Sequence, residues 1–422
     1  MFNKTTLKNG FRIITVPQKS TQAVTVLVLV GTGSKYEKKE ISGISHFVEH
    51  MFFKGTKKRP GPVQVAETLD RVGGIYNAFT GEEYTGYFAK VDASHLELAL
   101  DWVSDIYFNS LLPEREIQKE KGVIIQEINM YQDHPMSYIG ILWPQLLYGD
   151  QPAGWPIAGN EQTVSRISRQ DLLSYRKSQY VAQNTVACVA GNIKDNEVIS
   201  RVKKYFSGIK MASPSQKAGV WQRQTKPECL LVERKTDQTH LCLGVRARDI
   251  FSPEKYVQEL LAVILGGMMS SRLFVSVREK LGLAYYISAS SSADTDTGSF
   301  VCQAGIQNQK VEKGIAAILK EYKKISQKPV PQKELKKAKD HVKGKMALLL
   351  ESSDAQASFY GSQELLENKI LAPEEIYKEI DRVSRFDVLN LARDIFRPEK
   401  LNLALIGPFR DKNKFDKILE LL

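Results

Sequence analysis

The sequence is poor in cysteine and histidine, and it has no long hydrophobic run. Its 422 residues include 4 Cys and 6 His. Cys188, Cys229, Cys242 and Cys302 lie far apart with no C-x-x-C pair, which excludes a disulfide scaffold or a zinc knuckle as the organising device. Buried free thiols in a reducing compartment are the expectation. The longest early apolar run, Val24 to Val30, is too short to cross a bilayer. Met1-Phe2-Asn3-Lys4 leads directly into a strand pattern, without an apolar leader or a small-residue cleavage site. A cytoplasmic protein with no membrane partner is therefore expected.

What is present suits a globular chain. Hydrophobic residues make up 42% and charged residues 25%, and the length exceeds what one core usually supports, so two domains of roughly 200 residues are expected. The excess of 59 Lys plus Arg over 48 Asp plus Glu gives +11, which raises nucleic acid or an anionic surface as a partner. Yet the basic residues are scattered, and their densest runs, Lys54 to Arg59 and Lys333 to Lys345, read as solvated loop and helix. No nucleic-acid partner is expected.

Along the chain, residues 5–16 read as strand, Asn-Gly turn, strand, and Val24 to Val30 as another strand. Helices are expected over 63–72, 93–109, 114–131, 171–179 and 196–206, with strands over 75–80, 83–91 and 185–190. Ser207 to Pro227 loses periodicity and gains Gly, Ser, Pro, Lys and Gln, the composition of a linker. The second half repeats the same order: strands at 229–233, 240–246, 284–290 and 299–306, helices at 253–265 and 272–280, and long helices through 310–325, 332–351, 354–367 and 373–396 before a closing strand at 401–406. The pattern predicts an α+β fold of two structurally related domains, each a mostly antiparallel sheet packed with helices. The expected boundaries are 1–210, a linker at 211–227, and 228–422.

The chemistry concentrates in Ser42 to Gly55. Ile44, Phe47, Val48, Met51 and Phe52 form an apolar helical stripe, and the other face carries His46, Glu49, His50 and Phe53. Ser42 is placed to cap the helix and Gly55 to end it. His46 and His50 stand one turn apart, close enough to share one metal ion, with Glu49 beside them as a base. Zinc in a hydrolase takes three protein ligands and leaves a position for water, so one more must come from elsewhere. Glu82, Glu83, Glu116, Glu120, Glu127 and His134 are the candidates. Spacing favours the helix with Glu120 and Glu127, two turns apart, without choosing between them.

His46-Phe47-Val48-Glu49-His50-Met51-Phe52-Phe53-Lys54-Gly55-Thr56, followed by Glu120-Lys121-Gly122-Val123-Ile124-Ile125-Gln126-Glu127, resembles the pitrilysin-type zinc metallopeptidases, particularly the branch of mitochondrial processing peptidase and its bacterial relatives. The resemblance implies Zn²⁺ held by His46, His50 and Glu127, with Glu120 orienting a ligand and Glu49 as catalytic base. It implies that Asn77 and Ala78, in Gly73-Gly74-Ile75-Tyr76-Asn77-Ala78-Phe79-Thr80, pair with the substrate backbone, and that Phe53 borders the pocket just after the scissile bond. Arg278-Glu279-Lys280-Leu281-Gly282-Leu283-Ala284-Tyr285 is similar to the family's second-domain motif, which implies that Arg278 and Tyr285 oppose charge on the substrate carbonyl. A zinc endopeptidase acting on peptides or unfolded segments inside a chamber, working as a homodimer, follows as the expectation. A structural subunit of the same fold without catalysis, and a basic nucleic-acid or membrane-surface binder, are the alternatives. Gly266-Gly267-Met268-Met269-Ser270-Ser271-Arg272 lacks the Lys-Ser or Lys-Thr of a phosphate loop and reads as a tight helix entry.

Overall fold

The structure, a computed structural model, describes residues 2–420. Two mixed sheets dominate it. The first contains β1 (Asn3–Thr6), β2 (Arg12–Pro17), β3 (Ala23–Val30), β4 (Ile75–Thr80), β5 (Thr85–Asp92) and β6 (Thr185–Gly191), in the order β1-β2-β6-β3-β5-β4. The second contains β7 (Glu228–Glu233), β8 (Gln238–Arg246), β9 (Ala284–Ala293), β10 (Gly298–Gln307) and β11 (Leu401–Gly407), in the order β7-β11-β8-β10-β9. Each sheet has one parallel pair, β2 with β6 and β7 with β11, and the remaining ladders are antiparallel. Apart from the added β1, the two permutations are the same, so the repeated element order expected from sequence is a repeated topology.

The α-helices are α1 (Ile44–Phe52), α2 (Pro62–Asp70), α3 (Leu96–Asn109), α4 (Glu114–Asp133), α5 (Pro135–Tyr148), α6 (Glu161–Arg166), α7 (Arg169–Gln179), α8 (Asp195–Tyr205), α9 (Lys255–Leu265), α10 (Val311–Gln327), α11 (Gln332–Leu349), α12 (Ser353–Glu367), α13 (Pro373–Arg382), α14 (Arg385–Ile395) and α15 (Asn413–Leu419). Beyond the short α6 and α15, which the sequence pattern did not show, three features differ from the sequence expectation. The single long helix over 373–396 is two, because Ser384 and Asp387 form a capping box that starts α14 afresh. The helix over 272–280 is mostly a wider π-helix, Phe274–Lys280. The helix α5 was not expected at all; Pro144 inside it and its apolar composition hide the usual amphipathic period.

Compactness divides the chain differently from a cut through the linker. Unit 1 contains Met1–Asn129, Trp155–Ala218 and Ala347–Ala372; unit 2 contains Met130–Gly154, Gly219–Met346 and Pro373–Leu422. The boundaries at 210 and 228 therefore need two exchanges, since α5 belongs to unit 2 and α12 to unit 1. In unit 1 one sheet face carries the main core, in which Phe47, Phe52, Trp102, Val103 and Phe206 pack on Val26, Val28 and Tyr87. The other face, with Ile14, Leu27, Leu29, Val186 and Cys188, is covered by Ala357 and Tyr360 of α12. In unit 2, Ile139, Leu142, Trp143 and Leu147 of α5 cover Cys242, Ala404 and Ile406 in the same way. All four cysteines are buried and free. No described helix is long and apolar enough to cross a membrane.

Candidate metal centre

The helix α1 has nine residues, too few to be stable alone, and its packing compensates. Ile44, Phe47, Val48, Met51 and Phe52 are fully buried, a gross contribution on the order of 10 kcal/mol from apolar burial. Ser42 does not cap it. The N-terminus is instead met by Glu37, whose carboxylate oxygens accept the N–H groups of Gly43 at 2.6 Å and Ser45 at 2.8 Å. Gly43 enters the helix at φ +96°, a conformation favouring glycine, and a Cβ there would lie 2.6 Å from the Ala158 carbonyl oxygen. These constraints fix the rotation of the helix and so the aim of its polar face.

On that face His46 Nε2 lies 3.2 Å from His50 Nε2, and Glu127 Oε2 of α4 lies 3.7 Å from the first and 3.5 Å from the second. Among the described residues these three form the one group of His, Cys, Asp or Glu side chains with converging ligand atoms. A tetrahedral zinc with bonds of about 2.0–2.1 Å needs ligand atoms about 3.3–3.4 Å apart, so the triangle fits that ion. The opposite nitrogen of His50, Nδ1, lies 2.9 Å from Glu120 Oε1, and the other Glu120 oxygen is 2.7 Å from Lys54 Nζ. This fixes the His50 ring so that Nε2 faces the triangle. His46 Nδ1 is buried without such a partner among the described residues.

The charges follow from this wiring. Burial, and then the neighbouring His50, lower His46 to about 4, so it offers a neutral ring. Burial works to lower His50 as well, but its hydrogen bonds to Glu120 and Glu127 outweigh that and raise it to about 9. Glu127 is held below the usual carboxylate range, first by its bond to His50. Glu120 is also lowered, because His50 and Lys54 overcome its burial. Glu49 moves the other way: burial raises it, against the hydrogen bond it receives from Thr80. A carboxyl group raised in this way is suited to exchanging protons.

Of the ligand candidates left open by spacing, Glu127 joins the histidines and Glu120 stands behind one of them. Glu83 is buried against Lys35 at 3.0 Å and Lys217 at 2.6 Å, and Glu116 pairs with Lys119. Beside α1 runs β4, the edge strand of the first sheet. The Ala78 N–H is met by Asn77 Oδ1 at 2.9 Å, and Ile75 is exposed. Phe53 ends α1 with its ring 5.9 Å from that of Trp102, which also packs on Tyr76.

In unit 2, Arg278 lies in the last turn of the π-helix with its guanidinium 4.7 Å from the centre of the Phe274 ring, and Gly282, at φ +56°, turns the chain into β9. Tyr285, at the start of β9, is 73% exposed. Gly266 lies against β9, where a Cβ would be 2.2 Å from the Ala289 nitrogen, which explains the glycine as a close helix-to-strand approach. Arg272 is held by both oxygens of Glu334, at 2.9 and 2.7 Å.

Sequence reasoning missed Lys54, Thr80 and Glu37. Lys54 had a signal, since it lies four residues beyond His50. Thr80 had another, since it alternates with Tyr76 and Ala78 on one face of β4. Glu37 had none, because its loop sets its reach.

Comparison with known proteins places this geometry. The family described as Insulinase (Peptidase family M16) matches residues 12–159, which include the whole metal cluster. The family described as Peptidase M16 inactive domain matches residues 166–342, which include none of it. The uncharacterized zinc protease YmxG of Bacillus subtilis is 37% identical over 97% of this chain and 98% of its own. Among solved structures, a protease from Helicobacter pylori superposes with a TM-score of 0.89 over 97% of this chain and 99% of its own, at 23% identity. A peptidase M16 inactive domain from Pseudomonas fluorescens also gives 0.89, over 97% and 98%, at 16% identity. At these identities the two structures speak to the fold alone.

Proposed function

The chain belongs to the M16 family, with relatives named zinc proteases, and from that premise we propose that it is a zinc-dependent endopeptidase cutting peptides or unfolded protein segments. The observation that carries the reading is the triangle of His46, His50 and Glu127 with the Glu49 carboxyl beside it. These three ligands would hold one Zn²⁺ per chain, which when bound lowers the pKa of water towards neutrality and polarises a carbonyl.

The chain's own groups account for the rest. Glu49 takes the proton of the attacking water and delivers it to the leaving amine, work for which its raised pKa is suited. Glu120, tied to Lys54, keeps the His50 ring in its tautomer and orientation. The substrate backbone adds to the edge of β4, where an incoming carbonyl replaces Asn77 Oδ1 at the Ala78 N–H. Phe53 borders the position after the scissile bond. Arg278 and Tyr285 oppose the negative charge that develops on the substrate carbonyl. A homodimer belongs to the same reading, because one chain carries both the metal residues and the Arg278 and Tyr285 pair. A processing peptidase is the form of activity this reading favours.

The test is a peptide-library digest by the wild-type protein, its chelated form and Glu49→Gln, each with its zinc content measured. Cleavage by the wild type, none after chelation, and a Glu49→Gln protein that keeps zinc but loses at least about 1000-fold in kcat support the reading. A wild-type protein that binds no zinc and cuts nothing overturns it.

A further inference from the structure

The Glu49 carboxylate has one hydrogen-bond donor among the described residues, the Thr80 hydroxyl. Two tyrosines that feel its charge, Tyr87 and Tyr180, bond to each other at 2.8 Å. A base whose proton must travel between two specific atoms has to be held in one rotamer, and the polar face of a short helix does not by itself fix a glutamate there. Thr80 supplies that reason from a separate element, the edge strand β4.

Thr80 is itself firmly placed. It pairs with Thr85 at the closed end of the β4–β5 hairpin, where the Gly81 N–H donates to the Tyr84 carbonyl at 2.9 Å. The hairpin tip is tied down by the Ser34 N–H to the Gly81 carbonyl at 3.2 Å and the Lys35 N–H to the Glu82 carbonyl at 2.9 Å. The Lys35 ammonium, almost fully buried, meets Glu83 at 3.0 Å in the same turn. Gly33 allows this approach, since a Cβ there would lie 2.2 Å from the Gly81 carbonyl oxygen.

We propose that Thr80 is a positioning residue for catalysis, which fixes the Glu49 carboxylate with its hydroxyl and so connects the strand that receives the peptide to the base that acts on it. The proposal rests on the endopeptidase reading above. Strand alternation gives the connection its form. Ala78 offers the substrate a backbone N–H in the plane of the sheet, and two residues on, with its side chain on the same face of β4 as that of Ala78, Thr80 reaches Glu49. A peptide lying on this edge therefore stiffens the strand that orients the base.

The experiment compares Thr80→Val, which keeps the shape and removes the donor, with Thr80→Ser, which keeps the donor and removes the methyl. Thr80→Val is expected to lose about 10- to 100-fold in kcat, the range for a hydrogen bond to a charged group, with KM within about twofold and zinc content unchanged. Thr80→Ser is expected to stay within about threefold of wild type in kcat. A second readout needs no turnover: in the cobalt(II)-loaded protein without substrate, Thr80→Val shifts the visible absorption bands, through the solvent that Glu49 contacts, and Thr80→Ser leaves them in place. An unchanged kcat and spectrum in Thr80→Val, or a Thr80→Ser protein as impaired as Thr80→Val, overturns the proposal. If the wild-type protein cuts no peptide, the endopeptidase reading has failed, and the cobalt spectra still decide whether Thr80 holds Glu49.

Discussion

In unit 1 the helix beside the edge strand is α1, with His46, Glu49 and His50 on one face; in unit 2 the corresponding place beside β9 is taken by α9. The strand permutations around them agree from β2 to β4 and from β7 to β9. The helices do not. Buried Val257, Leu260, Leu261, Ile264 and Leu265 fill α9, and its buried Gln258 is spent on structure, accepting the Arg248 N–H at 2.8 Å. The metal site is therefore no property of the fold. It needs a helix whose outer face is left polar, and a second helix, α4, that brings Glu120 and Glu127 within reach of it. Where those are missing, the same frame gives packing and the exposed Tyr285 beyond it.

The exchange of α5 and α12 is what the two units share most closely, and breaking it gives the largest expected effect. Each half of the sequence builds a sheet with one face left apolar, and each face is covered by a helix from the other half. Residues 1–218 expressed alone would expose Ile14, Leu27, Leu29, Val186 and Cys188. Uncovering such a face costs on the order of 10 kcal/mol, comparable to the whole stability of a domain. The fragment is expected to be insoluble or without a cooperative thermal transition, and a version with residues 347–372 joined through a flexible linker is expected to recover one. Calorimetry of the two fragments checks this.

A smaller effect separates holding the metal from orienting its ligand. Because His50 is raised to about 9, its ring keeps a proton through neutral pH in the metal-free protein, and zinc must displace it. Apparent zinc affinity should therefore rise about tenfold per pH unit up to near pH 9. Stability of the metal-free chain changes with the opposite sign. A histidine raised on folding stabilises the metal-free chain fully below its ordinary 6.5, and that contribution is lost as pH rises through about 9. Glu120→Gln removes the negative charge at Nδ1 that, with Glu127, holds the His50 ring protonated. It is expected to flatten the pH slope above pH 7 and to weaken zinc about 10- to 100-fold at pH 9, as measured by competition with a chelating dye.

How much of this was legible in the sequence depended on whether the signal was local. The stripe of Ile44, Phe47, Val48, Met51 and Phe52 could be read by period, and all five residues are buried. The repeated order of strands and helices could be read because turns and apolar runs punctuate both halves. The exchanged helices could not, since nothing in Pro135–Tyr148 or Ser353–Glu367 states which sheet it will cover. Within the site, His46, Glu49 and His50 announced themselves on one helical face, whereas spacing left Glu120 and Glu127 undivided. The structure divides them through α4, whose packing places Glu127 before both Nε2 atoms and Glu120 behind His50. The contact of Glu37 with the start of α1 depends on loop geometry that no local pattern encodes, and for Thr80 strand alternation gives the face but not the partner, Glu49.

The smallest expected effect sharpens the comparison from the side of unit 2. His240 lies on β8 with its Nδ1 2.9 Å from the Tyr286 hydroxyl on β9, and the Gly305 between them in the sheet carries no side chain to part them. An imidazole beside a phenol resembles part of a metal site, but among the described residues His240 belongs to no converging group of three or more His, Cys, Asp or Glu side chains. Burial lowers the His240 pKa, which describes a neutral ring sharing one hydrogen bond within the sheet. His240→Phe is therefore expected to leave zinc at one per chain and kcat within about twofold, at a cost of about 1 kcal/mol for the lost hydrogen bond. Metal analysis and thermal melts measure both. A fall in zinc content would show that unit 2 takes part in metal binding, and that the difference between the two halves is smaller than their helices suggest.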